Sequence, residues 1–139
     1  MISFVCGQLC SGKTLYSKTL SDIDKAIYFE VGDIVRKHKN TKNRTELQDS
    51  KDLVNHIISY IRDNKNGFNN IVISGVRQKE ILEAFPEATL LWIECPLEIR
   101  RQRYLNRNRE GDNQTFDEAE QGDINLGILN VKKYILEKQ

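Results

Sequence analysis

The fold class this sequence predicts is α/β, with a mainly parallel sheet covered by helices on both faces. Three observations predict it. Short apolar runs of strand length alternate with segments whose apolar residues recur at helical spacing. The connections between the runs read as helical crossovers, which parallel strands require. A glycine-rich turn joins the first apolar run to the first helical segment, and ligands of such sheets sit at the carboxyl ends of the strands.

The elements follow in order. Ile2 to Cys6 is a buried strand that stops at Gly7, and Lys13 to Leu20 is the helix after it. Ala26 to Val31 is the second strand. Lys37 to Ser50 is polar and charged and reads as a surface excursion. Leu53, Ile57, Ile58 and Ile61 recur at helical spacing, and that segment ends near Asn64 to Gly67. Ile71 to Ile73 is the third strand, bounded by Asn69-Asn70 and Gly75. Ile81 to Phe85 is a short helix stopped by Pro86, and Thr89 to Cys95 is a fourth strand ended by Pro96. Leu97 to Arg107 is a basic helix, and Asn108 to Gln114, with Gly111, is a loop. Thr115-Phe116-Asp117-Glu118 opens a helix with a capping box. Ile124, Ile128, Val131 and Ile135 then fit a helix, while Tyr134-Ile135-Leu136 equally fits a short fifth strand. The sheet is therefore expected to have five strands, or four if the C-terminus is helical.

The 139 residues suit one domain spanning 1–139, with enough chain to bury a core. A formal net charge of +1 excludes a strong overall pull toward nucleic acid or anionic membranes. Any basic function must come from local clustering. No apolar run approaches the roughly 20 residues of a membrane span, and Met1 to Cys6 lacks the basic region and cleavage site of a signal peptide. Cys6, Cys10 and Cys95 are odd in number and lack metal-ligand spacing, so reduced thiols in a cytoplasm are expected.

Gly7-Gln8-Leu9-Cys10-Ser11-Gly12-Lys13-Thr14 matches G-x-x-x-x-G-K-[ST] in full, between a strand and a helix. Glycines at both ends let the backbone turn tightly, so that successive N–H groups point at an anion. The helix start adds partial positive charge. Lys13 is placed to reach the β- and γ-phosphates of ATP, and Thr14 offers its hydroxyl to Mg²⁺. The fold expectation thereby narrows to a P-loop NTPase three-layer sandwich with a short lid. The thiol of Cys10 lies inside the loop, as a bystander or an activated group.

A phosphate cradle does not by itself separate a kinase from a GTPase or a motor. The base-reading N-K-x-D of GTPases has no counterpart, because Asn64-Lys65-Asn66 lacks the Asp and precedes the third strand. Arginines instead follow the strand ends, in Gly32-Asp33-Ile34-Val35-Arg36 and in Ser74-Gly75-Val76-Arg77-Gln78. Here the chain resembles the P-loop nucleoside and deoxynucleoside monophosphate kinases. The first segment resembles the G-D-[LMI]-[LV]-R of adenylate kinase-like enzymes. The second resembles the I-D-G-[IV]-R of the small dephospho-CoA kinase-like group. The resemblance implies that Arg36 and Arg77 hold the acceptor's phosphate, with Asp33 beside them, and that an excursion over about 32–66 binds the acceptor. Guanidinium forks suit phosphate because they bind bidentately and stay charged.

The basic helix continues the resemblance. Arg100, Arg103 and Arg107 share one helical face, which runs into a loop that matches the kinase lid in position, about 107–115. The resemblance implies that Arg100, Arg103, Arg107 and Arg109 belong to the lid and deliver cations to the transferring group. A solvated basic face, or a helix that binds nucleic acid, are the competing readings. Glu120, Asp123 and Gly127-Ile128 resemble the acidic, glycine-containing tail of the dephospho-CoA kinase-like group, or belong to a capped surface helix.

The pattern is broken in three places. The acid expected at the end of the third strand is Ser74, so Asp33, then Glu30, then Glu94 are candidates to replace it, or Thr14, nucleotide and water hold Mg²⁺ alone. No arginine follows Arg109, and the residues end soon after Leu136, where larger members of the resembled group continue into a base-binding loop. The expectation is ATP- and Mg²⁺-dependent phosphoryl transfer to a nucleoside or deoxynucleoside monophosphate. Lys13, Arg103, Arg107 and Asp33 would carry catalysis. The alternatives are transfer to a hydroxyl acceptor, with Asp33 as proton acceptor, or a nucleotide-binding regulator. Small-molecule nucleotides are the expected partners of a monomer or homodimer, with neither membrane nor nucleic acid.

Overall fold

In the computed structural model four parallel strands form one sheet in the order β2-β3-β1-β4: β1 Ile2–Gly7, β2 Ile27–Glu30, β3 Ile71–Ser74 and β4 Thr89–Ile93. The structure describes residues 1–39, 51–65, 67, 69–107 and 114–139. The helices are α1 Lys13–Asp24, α2 Val31–Lys39, α3 Lys51–Lys65, α4 Lys79–Glu83, α5 Leu97–Asn106, α6 Phe116–Leu126 and α7 Ile128–Lys138. Every residue of the two central strands β1 and β3 is buried, because helices cover both faces of the sheet. Ile2 faces Ile71 and Ser3 faces Thr89 in register, so β1 and its two neighbours end at one edge with their carboxyl termini together.

The main core packs the sheet against α3, α4 and α7 through Phe4, Ile57, Ile61, Ile73, Ile81 and Ile135, all fully buried. Each such aliphatic side chain contributes about 2 kcal/mol relative to exposure. A smaller cluster of Leu9, Tyr104, Phe116 and Ala119 lies under the glycine-rich turn, where the Tyr104 and Phe116 rings meet edge to face at 5.7 Å. This second cluster fixes α5 and α6 beneath the loop that begins at Gly7.

Some element bounds differ from expectation. The first helix runs on to Asp24, Val31 opens α2 instead of closing β2, and the short fourth helix starts at Lys79. The C-terminal ambiguity resolves as helix: Tyr134 to Leu136 lie within α7 and add no fifth strand. The apolar spacing from Ile124 to Ile135 spans two helices, because Gly127 takes φ +117° and ends α6. The backbone turns there at a residue without a Cβ. The capping box at Thr115 is present with both bonds: the Thr115 hydroxyl accepts from the Glu118 amide at 3.2 Å and Glu118 accepts from the Thr115 amide at 3.0 Å.

Candidate active site

The turn after β1 is shaped by its backbone. A Cβ at Gly7 would stand 2.9 Å from the carbonyl oxygen of Ile93, its register partner on β4. Cys10 and Gly12 both take left-handed conformations, at φ +61° and +95°, and the Ser11 amide closes the turn on the Gln8 carbonyl at 3.1 Å. Such alternation aims successive amides into one concavity. The N-terminus of α1 has no side-chain cap and no acidic residue in its first turn. Its amides are left for an external acceptor, and an anion fits that role.

Lys13 and Thr14, the first two residues of α1, line an open cavity of roughly 490 Å³ with Leu9, Cys10, Gly12 and Glu30. That volume lies in the range of small-molecule sites. Lys13 Nζ donates to the Gln8 carbonyl at 3.4 Å. Burial, then the nearby Arg77, hold its ammonium below the ordinary lysine value, while Asp123, Glu30 and Cys10 pull the other way.

Helix α5 and its C-cap bring two arginines to the opposite wall. Arg103 and Arg107 both line the cavity. Arg103 Nη1 donates to the Cys10 carbonyl at 3.2 Å and to Cys95 Sγ at 3.6 Å. Arg107 Nη1 donates to Cys10 Sγ at 3.4 Å, and its guanidinium lies 4.5 Å from the Tyr104 ring centroid. Arg100, one turn before Arg103, is buried against α6 and does not line the cavity: Nη1 and Nη2 donate to the two Glu120 oxygens at 2.8 and 3.0 Å. Arg101 makes an exposed pair with Asp117 at 3.0 Å, which contributes little. Arg109, like residues 108–113 of the expected lid, lies outside the described residues.

On the acceptor side, Asp33 is exposed in the first turn of α2. Arg36 lies on the same helix, and its side chain is outside the described residues, as is 40–50 of the polar excursion. Arg77 follows β3, but it is 4% exposed, and its Nε meets Asp123 of α6 at 2.8 Å. Glu94 is held by the Trp92 indole at 2.7 Å and by Lys132 at 3.4 Å. These partners lower its carboxyl below the usual range, and it does not line the cavity.

A family model described as an AAA domain matches residues 4–124. The chain belongs to the AAA domain family. Among solved structures, this AAA domain is similar to a shikimate kinase from Acinetobacter baumannii in complex with shikimate, at TM-score 0.66 and 12% identity over 99% of this chain and 78% of that one. It is similar to a sugar kinase from Janibacter sp. HTCC2649 at TM-score 0.64 and 15% identity, over 88% and 76% of the two chains. A gluconokinase from Sinorhizobium meliloti 1021 matches at TM-score 0.56 and 10% identity, over 99% and 96%. The likeness is one of fold, and the fold is that of P-loop kinases. A comparison with curated protein sequences finds no match.

One residue at the site of this AAA domain escaped the sequence reading. Tyr28 Oη lies 2.7 Å from Ser74 Oγ. Burial pushes the phenol above its ordinary value. The signal available was period two on β2: Tyr28 and Glu30 point to one face. Among the described residues no three His, Cys, Asp or Glu side chains converge as a metal cage.

Proposed function

We propose that this AAA domain transfers the terminal phosphoryl group of ATP to a nucleoside or deoxynucleoside monophosphate. The observation that carries the reading is the convergence of Lys13, Arg103, Arg107 and Glu30 on one cavity at the mouth of the P-loop. The uncapped amides of α1 and the Lys13 ammonium would hold the β- and γ-phosphates. Arg103 and Arg107 approach from the opposite wall, where charge develops as the phosphoryl group moves. Transfer of this kind asks for alignment and charge stabilisation and little covalent participation.

The residues present fit Mg²⁺. That ion keeps several waters and is held by one or two protein oxygens together with phosphates. The Thr14 hydroxyl and the Glu30 carboxylate both line the cavity and would hold it. When bound, the ion supplies charge neutralisation at the β- and γ-phosphate oxygens. Asp33, Arg36 and Arg77 follow the carboxyl ends of β2 and β3, where the acceptor would dock. A monophosphate is already an anionic nucleophile and needs no strong base.

A second reading, transfer to a hydroxyl, is favoured by one observation. Arg77 is buried against Asp123, so its fork is engaged within the protein. In that reading the exposed Asp33 accepts the hydroxyl proton.

The test is phosphoryl transfer from radiolabelled ATP to a panel of nucleoside and deoxynucleoside monophosphates, dephospho-CoA, shikimate and gluconate. Label on a mononucleotide supports the first reading, and label on a hydroxyl compound the second. Nucleotide binding without transfer to any of them overturns both. Lys13→Ala should abolish transfer, and full activity in that variant removes the mechanism.

A further inference from the structure

Behind Thr14 the sheet carries hydroxyl groups where an acid was expected. Ser74, the last residue of β3, is fully buried, and its register partner on β2 is Glu30. Two residues before Glu30, and on the same face of β2, Tyr28 places its phenol oxygen 2.7 Å from Ser74 Oγ. Thr14, which lines the cavity, is the other hydroxyl close enough to act on the phenol. Thr14, Tyr28 and Ser74 thus bring three hydroxyls together between the cavity and the inside of the sheet.

A hydroxyl that ligates a cation must use a lone pair. Its proton must then point away from the ion, toward an acceptor. A carboxylate is the usual kind of acceptor for such a proton, and none of the three residues has one. A phenol can replace it, because it accepts one hydrogen bond while donating another. Ser74 Oγ, two lone pairs and no exposure, is a suitable end for that second bond.

We propose, on the reading of the cavity as a Mg²⁺–nucleotide site, that Tyr28 is the positioning residue for the cation ligand Thr14. The phenol accepts the Thr14 proton, donates its own to Ser74, and so turns the Thr14 lone pairs into the cavity. Glu30, at the mouth of the same strand, supplies the negative charge that a relay of hydroxyls lacks. Two roles that one acid could combine are thus divided between Tyr28 and Glu30.

The experiment is a Mg²⁺ titration of binding, with a fluorescent ATP analogue as probe, on the full chain. Wild type is compared with Tyr28→Phe, Ser74→Ala, Thr14→Val and Thr14→Val/Tyr28→Phe. Phenylalanine keeps the ring and its packing. Tyr28→Phe should raise the half-saturating Mg²⁺ concentration roughly tenfold, as for loss of a group that orients a metal ligand. Affinity in EDTA should be unchanged. Ser74→Ala should give a smaller rise in the same direction, and Tyr28→Phe should add nothing once Thr14 is valine. The proposal is overturned if Tyr28→Phe keeps the wild-type midpoint, loses as much affinity in EDTA as in Mg²⁺, or adds to Thr14→Val. Wild type that binds nucleotide without regard to Mg²⁺ overturns this proposal alone. Wild type that binds no nucleotide overturns the cavity reading with it.

Discussion

Arg100 Nη1 donates to the carbonyl oxygen of Leu9 at 3.2 Å, across 91 residues of sequence. The same guanidinium grips both oxygens of Glu120, and its Nε donates to the Cys95 carbonyl at 3.2 Å. One side chain therefore ties the P-loop, the segment after β4 and helix α6 together. Arg103 does the same for the next carbonyl of the loop, that of Cys10. Two successive carbonyls of the loop are thus held by arginines of α5, one buried against α6 and one on the cavity wall.

Arg100→Ala should destabilise the protein by about 3 kcal/mol, because it strands the largely enclosed Glu120 carboxylate and leaves the Leu9 and Cys95 carbonyls without this donor. The Arg100→Met/Glu120→Leu double variant should lose less than the two single changes summed, since neither leaves a lone charge. Urea denaturation monitored by circular dichroism checks both. A loss below about 1 kcal/mol for Arg100→Ala would mean that the pair is held no better than a surface one.

Lys13→Met should make the nucleotide-free protein more stable while abolishing nucleotide binding. The folded protein holds the Lys13 pKa below its ordinary 10.5, chiefly by burial. The unfolded chain therefore binds more protons than the folded one between that lowered pKa and 10.5, and stability rises with pH through that window. Below the window the charged, desolvated Lys13 opposes folding. The stability of Lys13→Met should thus exceed wild type at neutral pH, and the difference should shrink as pH climbs toward 10.5. Thermal melts across pH for the two proteins measure it. A difference that is constant with pH would remove the desolvation argument.

The thiols of Cys6 and Cys10 should separate by reactivity. Burial pushes the Cys6 thiol up to about 12, so at pH 8 it is protonated as well as inaccessible. Cys10 lines the cavity. Iodoacetamide at pH 8 should label Cys10 and leave Cys6 intact, and ATP with Mg²⁺ should slow the labelling of Cys10. Peptide mass spectrometry reads the outcome. Labelling of Cys6 in the folded protein, or no protection of Cys10, would contradict the placement of the cavity.

The four strands were legible in the sequence because each apolar run is short and bounded by Gly, Pro or Asn, as Ile71 to Ile73 is by Asn70 and Gly75. The cradle was legible too, since a tight turn depends on glycines that are local in sequence. Tyr28 was not legible, because a tyrosine on a strand looks like any core aromatic. Its partner Ser74 comes from β3, and only the sheet order brings the two together. Glu120 and Asp123 were visible as an acidic pair, but nothing near them named Arg100 and Arg77 as their partners.

The sequence by itself determined a parallel α/β sheet, its phosphate-binding turn and the presence of a basic helix after the fourth strand. These depend on periodicity and on backbone freedom, which are properties of neighbouring residues. Which cations face the cavity was decided only by tertiary structure. Arg100 and Arg103 lie one turn apart on α5 and Arg107 caps its end, yet α6 packs over the first and leaves the other two on the cavity wall. A guanidinium is a ligand for substrate or a clamp for the protein according to the carboxylate within reach, and that carboxylate arrives from another part of the chain.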